Sequence, residues 1–330
     1  MPLTMNIKRI IILLCAGATP MTNAAQAQSI DPPYPVKPVR VVVGQAPGGA
    51  ADLVTRTLTA KLGEVIGQTM IVDNRTGAAG AIGAGFVAKA TPDGYTLLSV
   101  TSGYSIYPSL YANLPFDPLK DLAPIILLAE APFLLVVHPS LPVRSVKDLV
   151  ALGKAKPDAL NYASGGTGSS GHLAGVLLQM ATGLKMVHVP HKGASPAMTD
   201  TIAGQVQLTF ASIISSQPFV RSSRLRALAV TSAKRATAMP ELPTIAEAIA
   251  SDYATTSWYG VLAPAGTRAG VIQRINSEFN KVIALPDVRQ KLGTDGAEPI
   301  GGSPEVFQKH LVTEIAKWAR VIKAAGIKVE

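Results

Sequence analysis

Short runs of aliphatic and β-branched residues alternate along the chain with longer segments whose apolar positions recur every three or four residues. Val39 to Val43 reads as a strand. Ala51 to about Ile66 reads as a helix, because Val54, Leu58, Leu62, Val65 and Ile66 fall on one face at helical period. A strand from Met70 to Asp73, a helix near Ala79 to Lys89 and a strand from Tyr95 to Val100 complete a βαβαβ pattern, which calls for a parallel sheet with covering helices. Pro92-Asp93-Gly94 makes the turn into the third strand, and the proline-rich stretch from Pro108 to Pro124 reads as a long irregular connection. A second run of the same kind starts at Phe133 to Val137. It continues with a helix capped by Ser145, a strand at Leu160 to Ala163, a helix from Gly171, a strand at Met186 to Val189, a helix from about Ser195, and strands at Val206 to Phe210 and Leu225 to Thr231.

The last third adds a strand from Ser257 to Leu262 and a helix from Thr267 to about Leu285. A long final helix has Ser303 as N-cap, Pro304 at its first position and Gly326 as its stop. Phe307, Leu311, Ile315, Trp318 and Ile322 form its apolar face, so Trp318 is read as core. The two α/β units echo one another. VVVGQAPGGAAD (41–52) and LNYASGGTGSSGH (160–172) each run strand, glycine loop, helix; MIVDNRTGAAG (70–80) and MVHVPHKGAS (186–195) each follow with a further strand and loop. Glycine loops at the carboxyl ends of strands are where open α/β sheets bind ligands.

The first residues change the picture of where the chain works. Lys8 and Arg9, an apolar run from Ile10 to about Ala18, and Ala25-Gln26-Ala27 have the form of a secretory signal peptide over residues 1–27, with cleavage expected after Ala27. The apolar run is too short for a membrane span, and Leu14 stands before Cys15 where lipidation would want a small residue. Cys15 is the single cysteine. Its removal leaves no disulfide, thiolate metal site or cysteine nucleophile, as suits an oxidising compartment. The remaining ~300 residues are enough for two domains. Charged residues make up 15% and hydrophobic ones 48%, a balance that fits extensive buried sheet. The net charge of +9 is scattered, with no basic stripe interleaved with aromatics, so nucleic acid is not expected as a partner; a preference for anions is.

Gly166-Thr167-Gly168-Ser169-Ser170-Gly171 is a literal GxGxxG, yet no Asp or Glu lies between Asp158 and Asp200 to take a ribose, which removes the dinucleotide reading. The loop from Gly44 to Asp52 lacks the GK[ST] of a phosphate loop, no G-x-S-x-G is present, and His188 and His191 form an HxxH with no nearby carboxylate, on a strand rather than a helix. Neither a cofactor nor a metal is expected. What remains is the physics shared by such loops: close backbone approach, outward N–H groups and the positive end of a helix, which welcome a carboxylate as readily as a phosphate. His172, one residue past the loop, is placed either to touch a ligand or to cap the helix.

Nine stretches carry a family resemblance: PGGAADLVTR (47–56), VDNRTGAAGAIGAG (72–85), TPDGYTLL (91–98), PFDPLKDLAPI (115–125), LNYASGGTGSSGHLAG (160–175), HVPHKGASPAMTD (188–200), LRALAVTSAKR (225–235), LPTIAEA (242–248) and WYGVLAPAGT (258–267). In this order they resemble the extracytoplasmic solute receptors of tripartite tricarboxylate transporters, the Bug or TctC periplasmic binding proteins. The resemblance implies an α/β Venus flytrap of type II-like form, each domain a mixed sheet flanked by helices, with residues 28–130 and 256–330 in one domain and 131–255 in the other. It implies a non-catalytic receptor, expected as a monomer, that closes on a small mono- or dicarboxylate, aliphatic or aromatic, and passes it to a membrane permease or signals through a sensor kinase. An exported hydrolase using a serine or histidine of the cleft is the enzymatic alternative.

By the same resemblance, Ala46, Pro47, Gly48, Gly49 and Asp52 of the first loop and Ser164, Gly168, Ser169 and His172 of the second would hold the ligand. Thr101 and Ser102, with Lys192, Gly193 and Ser195, would line the same cleft. Two positions depart from the family pattern: His191 stands in place of the usual tyrosine, and Ala211 where many members carry an aspartate.

Overall fold

The computed structural model describes residues 33–111, 113–157 and 159–327. The expected signal peptide and Cys15 lie outside them. The first unit is β1 (Val39–Val43), α1 (Ala50–Ile66), β2 (Met70–Asn74), α2 (Ala81–Ala88) and β3 (Thr96–Thr101), with β1 paired in parallel to both β2 and β3. A 3-10 turn at Ala78–Gly80 leads into α2, and another at Ser102–Ile106 follows β3 and runs into the short α3 (Tyr107–Leu110). Next comes β4 (Leu122–Val137), followed by the second unit: α4 (Val146–Ala155), β5 (Asn161–Ser164), α5 (Ser170–Thr182), β6 (Val187–Pro190), α6 (Ala194–Ile202), β7 (Leu208–Ser212), α7 (Ile213–Arg221), β8 (Arg226–Val230) and α8 (Ile245–Ile249). The chain then returns through β9 (Thr256–Pro264) to α9 (Ala269–Ala284), α10 (Pro286–Thr294), β10 (Glu298–Pro299) and α11 (Pro304–Ala325).

One strand serves two sheets. From Leu122 to Pro132, β4 runs antiparallel to β9, in the sheet ordered β2-β1-β3-β9-β4; from Phe133 to Val137 it runs antiparallel to β7 and β8, in the sheet that continues through β5 to β6. The sequence pattern gives only Phe133 to Val137 of this strand, because the stretch ending at Pro124 reads as an irregular connection; the strand itself contains Pro124 and Pro132. Both prolines are accommodated by gaps in the ladder: the register shifts between Pro124 and Ile126, and Pro132 is the last residue to pair with β9. The 16-residue strand is buried over nearly its whole length, as expected of a connector covered on both faces. Two further differences are local. The helix expected through Leu285 stops at Ala284, and Pro286 opens α10. The helix α7 is hidden in the sequence by Ser215, Ser216 and the internal Pro218.

The final helix ties the two units together. Phe307 and Leu311 pack with Trp258 and Leu262 of β9, while Trp318 and Ile322 share a cluster with Ile106 and Leu110 of the first unit and Leu173 and Val176 of α5. Both indoles are satisfied by one carboxylate, since Trp318 Nε1 and Trp258 Nε1 donate to Glu314 Oε2 at 3.1 and 3.4 Å. The approach of α11 to β9 needs Gly260, where a Cβ would overlap the ring of the fully buried Phe307. Gly260→Ala is therefore expected to destabilise the fold by about 1–3 kcal/mol through overpacking, read as a lower midpoint in urea at unchanged m-value.

Candidate functional site

The carboxyl ends of β1, β5, β6 and β7 and the crossing strands β4 and β9 surround a chamber of about 560 Å³. Four helix N-termini meet on its wall, because the caps of α1 (Gly49), α5 (Ser169), α6 (Gly193) and α7 (Ser212) all border it. Only Ser169 caps with its side chain, accepting the His172 N–H at 3.3 Å. The first turns of α1, α6 and α7 have no such side-chain cap, so their amide donors and the positive ends of their dipoles are left for whatever enters. Among the described residues no Asp or Glu borders the chamber, while the exposed Lys192 does. The lining also includes the apolar residues Phe133, Met198, Phe210 and Ala211, with Tyr259.

Each glycine loop is braced from behind. In the first, Gly48 is left-handed (φ +74°) and its N–H donates to Asp52 Oδ2 at 3.0 Å. Asn74 Nδ2 donates both to Asp52 Oδ1 at 2.9 Å and to the Gln45 carbonyl at 3.0 Å, and Arg56 Nε reaches both Asp52 oxygens at 3.0 Å. Burial alone would raise the Asp52 carboxyl, but the bonds from Arg56, Gly48 and Asn74 outweigh it and hold the group below the usual carboxylate range.

In the second loop, Gly168 is also left-handed (φ +78°) and its N–H donates to His172 Nδ1 at 3.0 Å. His172 stacks on His188 with centroids 3.9 Å apart, and His188 lies 5.0 Å from Tyr162. The Nε2 of His188 is 2.6 Å from the Ser164 hydroxyl, which also bonds to the Gly166 carbonyl and N–H at 3.0 and 3.2 Å. Burial lowers His172 to about 3; burial, with the nearby His191, lowers His188 to about 4. Both rings are uncharged at neutral pH.

The two units touch across the chamber. Ser102 and Ser170 hydroxyls are 2.7 Å apart, a Cβ on Gly168 would overlap Leu110 of α3, and one on Gly193 would lie 3.8 Å from Ala46 Cβ.

Against this geometry, the family model for the tripartite tricarboxylate transporter family receptor matches residues 54–327. The chain belongs to this receptor family. It is 38% identical over 96% of its length to a protein of the tcbD–tcbE intergenic region of Pseudomonas sp. (strain P51), with 94% of that protein covered. It is 33% identical over 99% of its length to BugT of Bordetella pertussis, all of which is covered. Among solved structures, an R. palustris protein with adipate superposes at a TM-score of 0.88 with 39% identity, covering 90% of this chain and 100% of that one. MatC from Rhodopseudomonas palustris with bound malate gives 0.83 and 30%, covering 88% and 100%. The receptor is thus an α/β periplasmic binding protein of TctC type in fold.

Of the receptor positions expected at the ligand, Ala46, Gly49 and Thr101 border the chamber from the first unit, and Ser169, Lys192, Gly193 and Ser195 from the second. Seven others do not reach its wall. Pro47 and Gly48 are exposed at the outside of their loop, and Ser102 is buried with its hydroxyl on Ser170. Asp52, Ser164, Gly168 and His172 stand behind the loops, their polar groups spent on the bonds just described. The wall also contains Thr76 to Gly80, Phe133, Ser257 and Tyr259, which were not expected. The glycines of the TGAAG segment signalled the first of these, since Gly77 and Gly80 have φ of +128° and +112°; nothing in the strand patterns of β4 and β9 signalled the rest. His191 borders the chamber but is hydrogen-bonded through Nε2 to Asp200 at 2.7 Å.

The buried histidines set a pH dependence. Each is neutral in the folded receptor down to about pH 4, whereas in the unfolded chain it takes up a proton below about pH 6.5, so the unfolded state binds more protons in that window. Their contribution to stability is complete above pH 6.5 and declines as the pH falls through 6.5 towards 3–4. Urea midpoints at pH 7, 5.5 and 4.5 are expected to fall more steeply for the wild type than for His172→Asn, in which one of these protonations is removed.

Proposed function

We propose that the receptor captures a small organic anion, a mono- or dicarboxylate, between its two units and delivers it to the permease of a tripartite transporter. The observation that carries this reading is the convergence of four helix N-termini on a chamber that no described acidic side chain borders. A carboxylate is stabilised there by charge-assisted hydrogen bonds of about 1.5–3 kcal/mol each, and an ammonium group has no counter-ion. The adipate and malate seated in the two R. palustris relatives agree in kind. Ala46 and Gly49 of the first loop and Ser169–Gly171 of the second hold the carboxylate, Ser195 and Thr101 add hydroxyls, and Lys192 attracts the anion at the rim. The apolar wall of Phe133, Met198 and Phe210 takes the carbon skeleton, whether aliphatic or aromatic.

In this reading residues up to 130 and from 256 onward move as one domain and residues 131–255 as the other. The hinge lies where β4 changes sheets and where β9 begins, the chain is exported by cleavage after Ala27, and it acts as a monomer without catalysis.

Thermal shift and calorimetry of the exported protein against adipate, malate, benzoate, lysine and NAD test the ligand class. Carboxylates are expected to raise the melting temperature, lysine and NAD to leave it unchanged; a shift with NAD and none with any acid would overturn the reading. Gly168→Ala, which sets a methyl against Leu110 and strains a left-handed residue, is expected to weaken carboxylate binding about tenfold or more while the protein stays folded. Loss of uptake of the bound acid in a deletion strain supports delivery to a permease, and unchanged uptake points to a sensor.

A further inference from the structure

The two glycine loops are built on one plan, and the plan differs at a single chemically telling position. In each, a left-handed glycine two residues before the helix donates its N–H to the side chain four residues on: Gly48 to Asp52 ahead of and within α1, Gly168 to His172 ahead of and within α5. Neither glycine borders the chamber, although the residues on either side of Gly168 do. The bond therefore turns one donor of each loop backward and fixes the orientation of its neighbours. The first loop uses a carboxylate and neutralises it, with Arg56 one helical turn beyond Asp52 and Asn74 on β2. One turn beyond His172 stands Val176, a buried apolar residue, and the ring stacks with His188 and Tyr162.

We propose that His172 is a positioning residue, the uncharged counterpart of Asp52. It holds the Gly168 N–H from behind, so that the loop presents its other donors to an anion without setting an unneutralised negative charge beside it. Two physical requirements meet in the imidazole. The glycine-rich loop needs an acceptor at this point, because an unheld loop has backbone entropy to lose on binding, of order 1 kcal/mol per residue. The anion held at the same helix end excludes a bare carboxylate as that acceptor. A neutral Nδ1, kept neutral by burial between His188 and α5, satisfies both. The stack on His188 carries the brace further, since His188 bonds to Ser164 and Ser164 to Gly166. Both left-handed glycines of the second loop are thereby tied to one pair of rings.

The inference rests on the carboxylate reading for its binding measurement only. Adipate affinity by calorimetry at low and high salt, and amide exchange of the segment containing Gly168, are compared in wild type, His172→Asn, His172→Phe and His172→Asp. Asn offers an oxygen where Nδ1 stood, so exchange stays slow and affinity falls by no more than about threefold. Phe keeps the stack and loses the acceptor, so exchange quickens and affinity falls about tenfold. Asp keeps the acceptor and adds a charge with no Arg56 to neutralise it, so exchange stays slow while affinity falls about tenfold and partly recovers in high salt.

The proposal is overturned if His172→Phe keeps both slow exchange and wild-type affinity, or if His172→Asp binds as the wild type does. Should a variant fail to fold, nitrogen-15 shifts of the wild-type ring decide: Nδ1 unprotonated and Nε2 protonated is the expected tautomer, and a protonated Nδ1 excludes the bond from Gly168. If no acid binds the wild type, the carboxylate reading falls, while exchange and tautomer still judge the brace.

Discussion

Backbone N–H groups that are to bind a ligand must stay unpaired in the empty protein and yet point in fixed directions. A helix supplies such donors at its first turn, but a glycine-rich loop leading into it is conformationally permissive. Each loop is held at a left-handed glycine by a side chain that does not border the chamber. Asp52, with Arg56 and Asn74, is that side chain in one unit, and His172, with His188 and Ser164, in the other. Much of the local sequence follows from that need: left-handed glycines, small residues where loops approach closely, and polar side chains directed inward.

The sheets answer a different requirement. Two loops on separate units face each other only if the units are connected by something stiff along its length and able to change partners at one point. A strand shared between two sheets meets this, with Pro132 where its hydrogen bonds pass from β9 to β7 and β8. The final helix covers the junction, with Trp318 and Ile322 set between Leu110 of one unit and Leu173 of the other.

Apart from α7 and α8, the regular elements of both units were legible because each is periodic and bounded by turn residues, and the order of motifs brought the family into view before any geometry. The connector was not legible. Its prolines carry the same signal as those of a loop, and only the bulge at Pro124 and the end of pairing at Pro132 make them harmless. The candidate site was half legible. Sequence brings forward the glycine loops but does not say which side of a loop a residue faces, and Asp52, Ser164 and His172 turned out to lie behind. Ser169 caps α5 at the chamber while His172, three residues into the same turn, is directed back at the Gly168 N–H, a difference of direction with no mark in composition. Phe133 and Tyr259 were missed because they belong to crossing strands whose burial pattern is continuous.

The apolar seam under α11 bears on how the two units can shift against each other. Contacts such as those of Trp318 and Ile322 with α3 and α5 have no preferred direction, so the helices can slide past one another at little cost, as in shear motions between packed helices. The Ser102–Ser170 hydrogen bond and the fit of Gly168 on Leu110 cannot slide; they are either made or broken. Any movement of one unit against the other must therefore break these two small contacts outright, while the apolar seam under α11 can stay packed.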